Sequence, residues 1–296
     1  MGQVAHRSED QRLSTWYAKP APHLARYITA YDAYRSRIGP GEEAEDVIPP
    51  GWAAIRLTLT PGRWSARIGP RCFDPLPSDA LFGPTSHATF TRFGQGRVVC
   101  AGLTPLGWAR FVARDASRFA DRITPLAGVW PERAQALRAA VEGADDHQAA
   151  FDAFFTDLLE RTEPEDEEIG RLASLLLDPA VATITGLTER LGVDARHLGR
   201  VSTRHFGFTP KLLLRRARFL RVLIRMLQVE RGKWKALVIQ AGYHDQSHFV
   251  RDCQLFLDMP MTAFVRRPKP LFEASLLLRA AVQGSPAQSP HPVEAR

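Results

Sequence analysis

The stretch Ala241-Gly242-Tyr243-His244-Asp245-Gln246-Ser247-His248-Phe249-Val250-Arg251, running on to Leu257-Asp258-Met259-Pro260, decides the reading of the C-terminal third. Ahead of it, Leu237, Val238 and Ala241 recur at helical spacing. Gly242 supplies the left-handed turn that other residues resist at a helix end. Asp245 stands where an N-cap belongs, before a second helix that begins at Gln246. A tight helical hairpin whose second helix is polar on one face has the shape that enters a DNA major groove.

A similar unit lies about fifty residues upstream. Ile184, Leu187 and Leu191 form an apolar stripe, Gly192 ends that helix, and Asp194 caps the next. Phe206-Gly207-Phe208-Thr209-Pro210 closes this hairpin, with Pro210 suited to the first turn of a following helix. Leu257-Asp258-Met259-Pro260 is its downstream counterpart. One hairpin is a weak motif, and two in register make a strong one.

On Leu198-Gly199-Arg200, Phe206 to Pro210, Gly242-Tyr243, Phe249, Arg251, Pro260 and Phe264, the chain resembles the AraC/XylS family of bacterial transcription regulators over roughly residues 165–268. The resemblance implies two helix-turn-helix lobes joined by a connector helix from Pro210 to about Leu227. Eighteen residues span about 27 Å, compatible with two reading helices set about one DNA turn apart. By family position, Arg196, Arg200, Gln246, Ser247, His248 and Arg251 would contact bases; Arg suits guanine and Gln suits adenine. Arg204, Lys211, Arg215 and Arg218 would meet phosphate. Gly199 departs from the pattern, for it offers no side chain to read with. Ser202 and Cys253 stand where relatives place a packing Phe, and Ser202 forfeits about 1–2 kcal/mol of apolar burial if the site is core.

Charge distribution points the same way. Residues 183–270 carry 17 Lys/Arg and 6 Asp/Glu, a net of +11, whereas residues 1–164 carry 19 of each. A neutral segment followed by a basic one favours a polyanion partner. Arg215, Arg216, Arg218, Arg221 and Arg225 cluster on the connector and are candidates for phosphate steering, against the plainer reading of a solvated helix face.

The front of the chain reads differently. Pro22 can start a short helix that turns Leu24, Tyr27 and Ile28 inward. From Asp46 onward short alternating segments appear: Ala54–Thr60, ended by Pro61-Gly62, then Trp64–Ile68, Ala80–Phe82, Ala88–Phe93 and Arg97–Leu103. This argues for an antiparallel sandwich or small barrel. Val47 to Trp52, Phe82 to Thr85 and Leu103 to Trp108 resemble the cupin-like N-terminal domains of one AraC subgroup. The expected fold class is therefore α+β: a cupin-like β-barrel or sandwich (1–128), linker helices (129–164), an all-α DNA-binding domain with two helix-turn-helix lobes (165–270), and a helix remnant with a disordered tail (271–296).

Catalysis finds little support. The barrel region holds one histidine, His87, and no His-x-His pair that could grip a metal ion. No cofactor or metal is expected. Trp52, Arg56, Trp64, Phe82 and Arg92 are candidates for an effector pocket, although most such aromatics are core. Arg56 is the sharpest case, since an inward Arg in an apolar strand needs a carboxylate of the protein or an anionic effector. The helical run from Pro131 carries Phe151, Phe154, Phe155, Leu158 and Leu159 on one stripe, to be covered by its own barrel or by a second copy of the chain. Thr162 to Glu168 reads as an exposed linker.

No long apolar run or signal-peptide core is present, and Cys72, Cys100 and Cys253 are widely separated. The expected compartment is the cytoplasm, without a membrane partner. The function implied is sequence-specific binding of double-stranded DNA in transcription regulation, with RNA polymerase, a homodimer and an unknown small-molecule effector as further partners. Two rivals are a DNA-repair alkyl-acceptor protein with a similar DNA module and a non-enzymatic protein-interaction module.

Overall fold

The computed structural model describes residues 6–9, 12–60, 62–164, 167–243 and 245–283. Pro61, the middle of the acidic linker, and the Pro/Ser-rich tail read as disordered lie outside them.

The first half builds two packed antiparallel sheets. One has the order β1 (His6–Glu9), β2 (Leu13–Ala18), β3 (Ile28–Ser36), β10 (Gly96–Leu103), β5 (Ala54–Thr60), β8 (Asp79–Phe82), β11 (Ile123–Pro125). The other runs β4 (Ala44–Ile48), β9 (Thr89–Phe93), β6 (Trp64–Ile68), β7 (Arg71–Phe73). β10 is central because its run Val98-Val99-Cys100-Ala101-Gly102-Leu103 is buried throughout, which a strand covered on both faces requires. Trp64 stacks on Phe93 at 5.0 Å within the second sheet and packs with Val98 and Cys100 of the first. The two sheets form a sandwich rather than a closed barrel. The strands also begin well before Asp46: β3 pairs along most of β10, and Ile28 opens that strand instead of lying in a helix. The short helix at Pro22 is a single turn, Pro22–Leu24.

After β10 come α1 (Pro105–Gly107), widened into one π-type turn over Trp108–Val112, then α2 (Pro131–Glu142) and α3 (His147–Glu160). The aromatic stripe of α3 is covered by its own domain. Phe151 stacks on Tyr31 at 4.9 Å, Phe155 meets Phe111 at 5.2 Å, and the Tyr31 hydroxyl donates to Asp152 Oδ1 at 2.9 Å. Arg138 fastens α2 to the sheet by donating to Asp79 and to the Thr58 carbonyl.

The second half is helical: α4 (Glu167–Leu177), α5 (Ile184–Leu191), α6 (Ala195–Val201), α7 (Pro210–Leu227), α8 (Trp234–Gln240), α9 (Gln246–Leu257), α10 (Met261–Arg266) and α11 (Pro270–Gln283). Its helices share cores with the sandwich. One core runs from Ile55 and Leu103 through α1 to Leu187, Leu198 and Phe206, and a second joins α7–α10 to Val47 and Ala88. Among the described residues no helix is long and apolar enough to cross a membrane.

α11 returns to the sandwich, where Leu278 and Val282 pack on Tyr17 and Ala30. Its first turn is held by a strand residue. Asp46 Oδ2 on β4 accepts from the backbone N–H of Leu271 at 2.5 Å and of Phe272 at 3.3 Å. Burial pushes the Asp46 carboxyl up to about 7, against the lowering effect of those N–H donors. A carboxyl raised on folding binds its proton more tightly in the native state. Its contribution is therefore largest below the unfolded value near 4 and is lost as pH rises to about 7. We expect Asp46→Asn to flatten the decline of thermal stability between these limits while keeping the amide-oxygen acceptor. Midpoints for the two proteins recorded across that window check this, and parallel curves would refute it.

Candidate nucleic-acid interface and effector cavity

Both hairpins form from the residues that the sequence marked. Gly192 (φ 74°) ends α5, and Asp194 caps α6 by accepting from the His197 N–H at 2.7 Å. Gly242 (φ 77°) follows α8, and Asp245 caps α9 by accepting from the His248 N–H at 2.7 Å. The connector α7 spans Pro210–Leu227, with Thr209 as its cap. Gly207 does two jobs at φ 84°: it makes the turn, and a Cβ there would stand 2.8 Å from Pro84 Cγ of the sandwich.

The structure exposes Arg196 and Arg200 on α6 and Gln246, Ser247 and Arg251 on α9. Arg200 also contacts His197 Nδ1 at 2.8 Å, and the other nitrogen of that ring meets Glu168 at 2.7 Å. His248 is half-buried, stacked edge-on against Tyr243 at 5.1 Å. Val250, which the sequence reading passed over, stands exposed on the same face of α9. Its position one turn from Gln246 was the available signal. At the far end of α9 the sandwich comes close: Ala88 N–H donates to the Phe256 carbonyl at 2.7 Å, and Arg67 pairs with Asp258 at 2.8 Å.

The connector arginines are not equivalent, and only Arg225 of the five is exposed. Arg215 Nε donates to Asp252 Oδ1 at 2.5 Å, and Asp252 is fully buried in α9. The Tyr243 hydroxyl donates to the other oxygen at 2.7 Å, and Arg218 lies over the Tyr243 ring at 4.3 Å. An ionised carboxylate can be buried only with such donors, so Arg215 and Arg218 are engaged in seating the second lobe on α7. Arg221 turns to the Leu176 carbonyl at 3.3 Å. Arg216 points the other way, into the sandwich. It donates to the Thr85 carbonyl at 2.7 Å and lies over the Trp52 ring at 4.3 Å. Burial pulls its pKa down to about 10. Arg204 and Lys211 remain exposed and free to meet phosphate.

Ser202 is core, as its position required, and its hydroxyl has no hydrogen-bond partner. Cys253 packs as a small hydrophobe. Burial pushes its thiol up to about 12 and raises Cys100 well above the usual thiol range. Neither is poised as a thiolate, which an alkyl acceptor needs. Among the described residues no cluster of three or more His, Cys, Asp or Glu could hold a metal ion.

A cavity of about 310 Å³ lies between the sandwich, α7 and α11. Trp52, Arg56, Trp64 and Phe82 line it, and so do Arg216, which the sequence marked for phosphate instead, and residues that it did not mark, among them Asp32, Leu220 and Phe272. These come from elements distant in sequence, and no local pattern announces them. Arg92 is not in the cavity; it is exposed and bonds Glu45 at 3.1 Å. Asp32, Cys100 and Arg56 are register neighbours across β3, β10 and β5, so the three form one polar rung on one face.

Residues 187–267 match the family model described as a helix-turn-helix domain. A search of curated proteins gives no significant match. Among solved structures, the chain is similar to unsaturated fatty acid-bound wild-type ToxT from Vibrio cholerae. Identity there is 10%, coverage is 88% of this chain and 97% of that one, and the TM-score is 0.40. It is also similar to ToxT from Vibrio cholerae bound to (E)-4-(8-methylnaphthalen-1-yl)but-3-enoic acid, at 11% identity, 76% and 98% coverage and a TM-score of 0.41. The AraC-like transcriptional activator CuxR matches at 11% identity, 79% and 98% coverage and a TM-score of 0.32.

The reassignment of Arg215 has a measurable consequence. Arg215→Ala should lower the thermal midpoint, because it strips a donor from a buried carboxylate, a loss on the order of 2–4 kcal/mol. Arg204→Ala should leave the midpoint unchanged and reduce the salt slope of DNA binding by about one. Denaturation and DNA titration of the two variants separate these roles; unaltered stability in Arg215→Ala would return that residue to the phosphate set.

Proposed function

We propose that the protein is a transcription regulator of the AraC/XylS type that binds duplex DNA through both lobes and answers to a small molecule held in the cavity. The observation that carries this reading is the pair of capped hairpins on one 18-residue helix, each presenting exposed polar side chains on its second helix. Arg196 and Arg200 would read one major-groove segment. Gln246, Ser247 and Arg251 would read the next, with His248 at its edge. Arg204 and Lys211 are the phosphate contacts that suit their exposure. Trp52, Arg56, Trp64 and Phe82 form the effector wall.

RNA polymerase is the partner such a regulator meets at a promoter, and the cytoplasm is where it would work. A homodimer would need a surface other than the α3 stripe, which its own domain covers. The reading assigns no catalytic step to the chain.

The test is a titration with a duplex selected from a random pool, repeated at several salt concentrations. Affinity should fall steeply with salt. Arg251→Ala and Arg196→Ala should each lose about 1–3 kcal/mol of discrimination between the selected duplex and a scrambled one. Binding that ignores salt, or unchanged discrimination in both variants, would sink the reading.

A further inference from the structure

We infer that α11 is a strap over the effector cavity: it lifts and reseats as one unit about the arm Arg267-Pro268-Lys269, and when seated it closes the inner wall at Cys100. This rests on the effector reading above and adds how the cavity opens. Leu271, Phe272, Ser275, Leu278 and Arg279 of α11 line the cavity. Their spacing puts them on one face of the helix, while Leu277 on the opposite side is 70% exposed. Leu271 shares an apolar cluster with Trp64, Val98 and Cys100. Cys100 lines the same cavity and is only 8% exposed.

The other walls are fixed. β10 and β5 are interior strands of the seven-stranded sheet, bonded along both edges. α7 is held by Arg216 in the sandwich and by Arg215 on Asp252. α11 is the last element among the described residues, so moving it displaces no later strand or helix. It is tied to the sandwich by the two N–H bonds to Asp46 and by Arg279 at 3.3 Å from the Tyr17 hydroxyl. Leu278 and Val282 pack on Tyr17 and Ala30, and apolar packing of this kind is non-directional. The arm suits a pivot. α10 ends at Arg266 and α11 begins at Pro270. Pro268 and Pro270 hold the residues before them extended, and Arg267 stands at φ −73°, ψ 135°. The two helices therefore cannot fuse into one rod, and α11 swings without unwinding α10. Phe272 carries the movement to the second lobe. It lines the cavity and also belongs to the core of α7–α10, edge-on to the fully buried Phe264 at 6.0 Å. Lifting α11 withdraws that ring, so the state of the strap and the packing of the lobe are linked through one side chain.

The experiment uses the full chain and its own three cysteines, labelled with N-ethylmaleimide and read peptide by peptide by mass spectrometry. Cys72 is exposed and reports the reagent; Cys253, buried in the second lobe, reports opening of that lobe. Cys100 should label more slowly than Cys72. Its rate should rise less steeply with urea than that of Cys253, because lifting one helix exposes less surface than unfolding the lobe. Leu278→Ala loosens the seat on Tyr17 and Ala30; it should speed labelling of Cys100 about tenfold or more and leave Cys253 unchanged. Leu277→Ala, on the exposed side, should change neither. Four results overturn the strap: Cys100 labelling as fast as Cys72, one urea dependence for Cys100 and Cys253, no change at Cys100 in Leu278→Ala, or an equal rise at both buried thiols. The urea comparison needs no variant, so it decides the matter even where Leu278→Ala fails to fold. Duplex DNA titration of the unsubstituted chain runs beside it. Loss of DNA binding removes the regulator reading and leaves the labelling result; labelling that fails in a chain that binds DNA removes the strap alone.

Discussion

A guanidinium removed from water must find oxygen, and Arg216 finds the Thr85 carbonyl at 2.7 Å inside another domain. That contact fixes the connector α7 to the sandwich from one side. From the other side Asp252, fully buried in α9, draws Arg215 of the same helix to 2.5 Å and the Tyr243 hydroxyl to 2.7 Å. Two adjacent arginines on one helix therefore point to opposite neighbours. Successive side chains on a helix are rotated by about 100°, which lets adjacent residues reach different neighbours. Arg216 and Asp252 are buried, so solvent screens these contacts less than it would a surface pair. The position of the second reading helix is thus tied, through α7, to the loop that carries Thr85.

The same loop explains why the lobes cannot be treated as freely hung modules. Thr85 holds Arg216, Pro84 lies against Gly207, and Ala88 donates to the Phe256 carbonyl. One strand-to-strand connection of the sandwich reaches the first lobe, the connector and the second lobe in turn. A ligand beneath α7 would act on helices whose seats already lie in that connection. Any effect on DNA binding requires that the ligand favour one seating of these helices over another. The cavity meets the structural condition for this, because its walls belong to both halves of the chain.

Legibility in the sequence followed the range of the interactions. The hairpins, their caps at Asp194 and Asp245, and the limits of α7 were readable because glycine, cap and stripe lie within one or two turns of each other. Strands β5 and β6 were readable by alternation. β2 and β3 were missed, for Ala30, Asp32 and Ala33 blur the period of Ile28–Ser36, and the strand is specified by its pairing with β10. The connector arginines show the same limit at the site. Five cations on one helix look alike in sequence, and only tertiary partners separate Arg216, Arg215 and Arg225. Four of the five marked effector residues line the cavity, whereas Arg92, also on a strand, turns to Glu45 at the surface. Arg56 differs from Arg92 in its register. It lies beside Cys100 in the buried run of β10, while Arg92 is paired with Glu45 on β4, an edge strand of the smaller sheet.

Register also accounts for the chemistry of the cavity wall. A strand places alternate side chains on opposite faces, so Ala54 and Arg56 line the cavity together while Ile55 and Leu57 serve the other side. Ile55 and Leu57 are fully buried in the core that runs to α1 and the first lobe. Shifting β5 by one residue would bury the charge in that core and bring leucine into the cavity. Holding Arg56 where it is therefore depends on the hydrophobic demand of the opposite face, which is large and continuous. Its cost is confined to one guanidinium, already enclosed by Tyr34, Trp64 and Phe82. Arg56 is thus kept among the aromatic rings of the cavity wall by the packing of the sheet's other face.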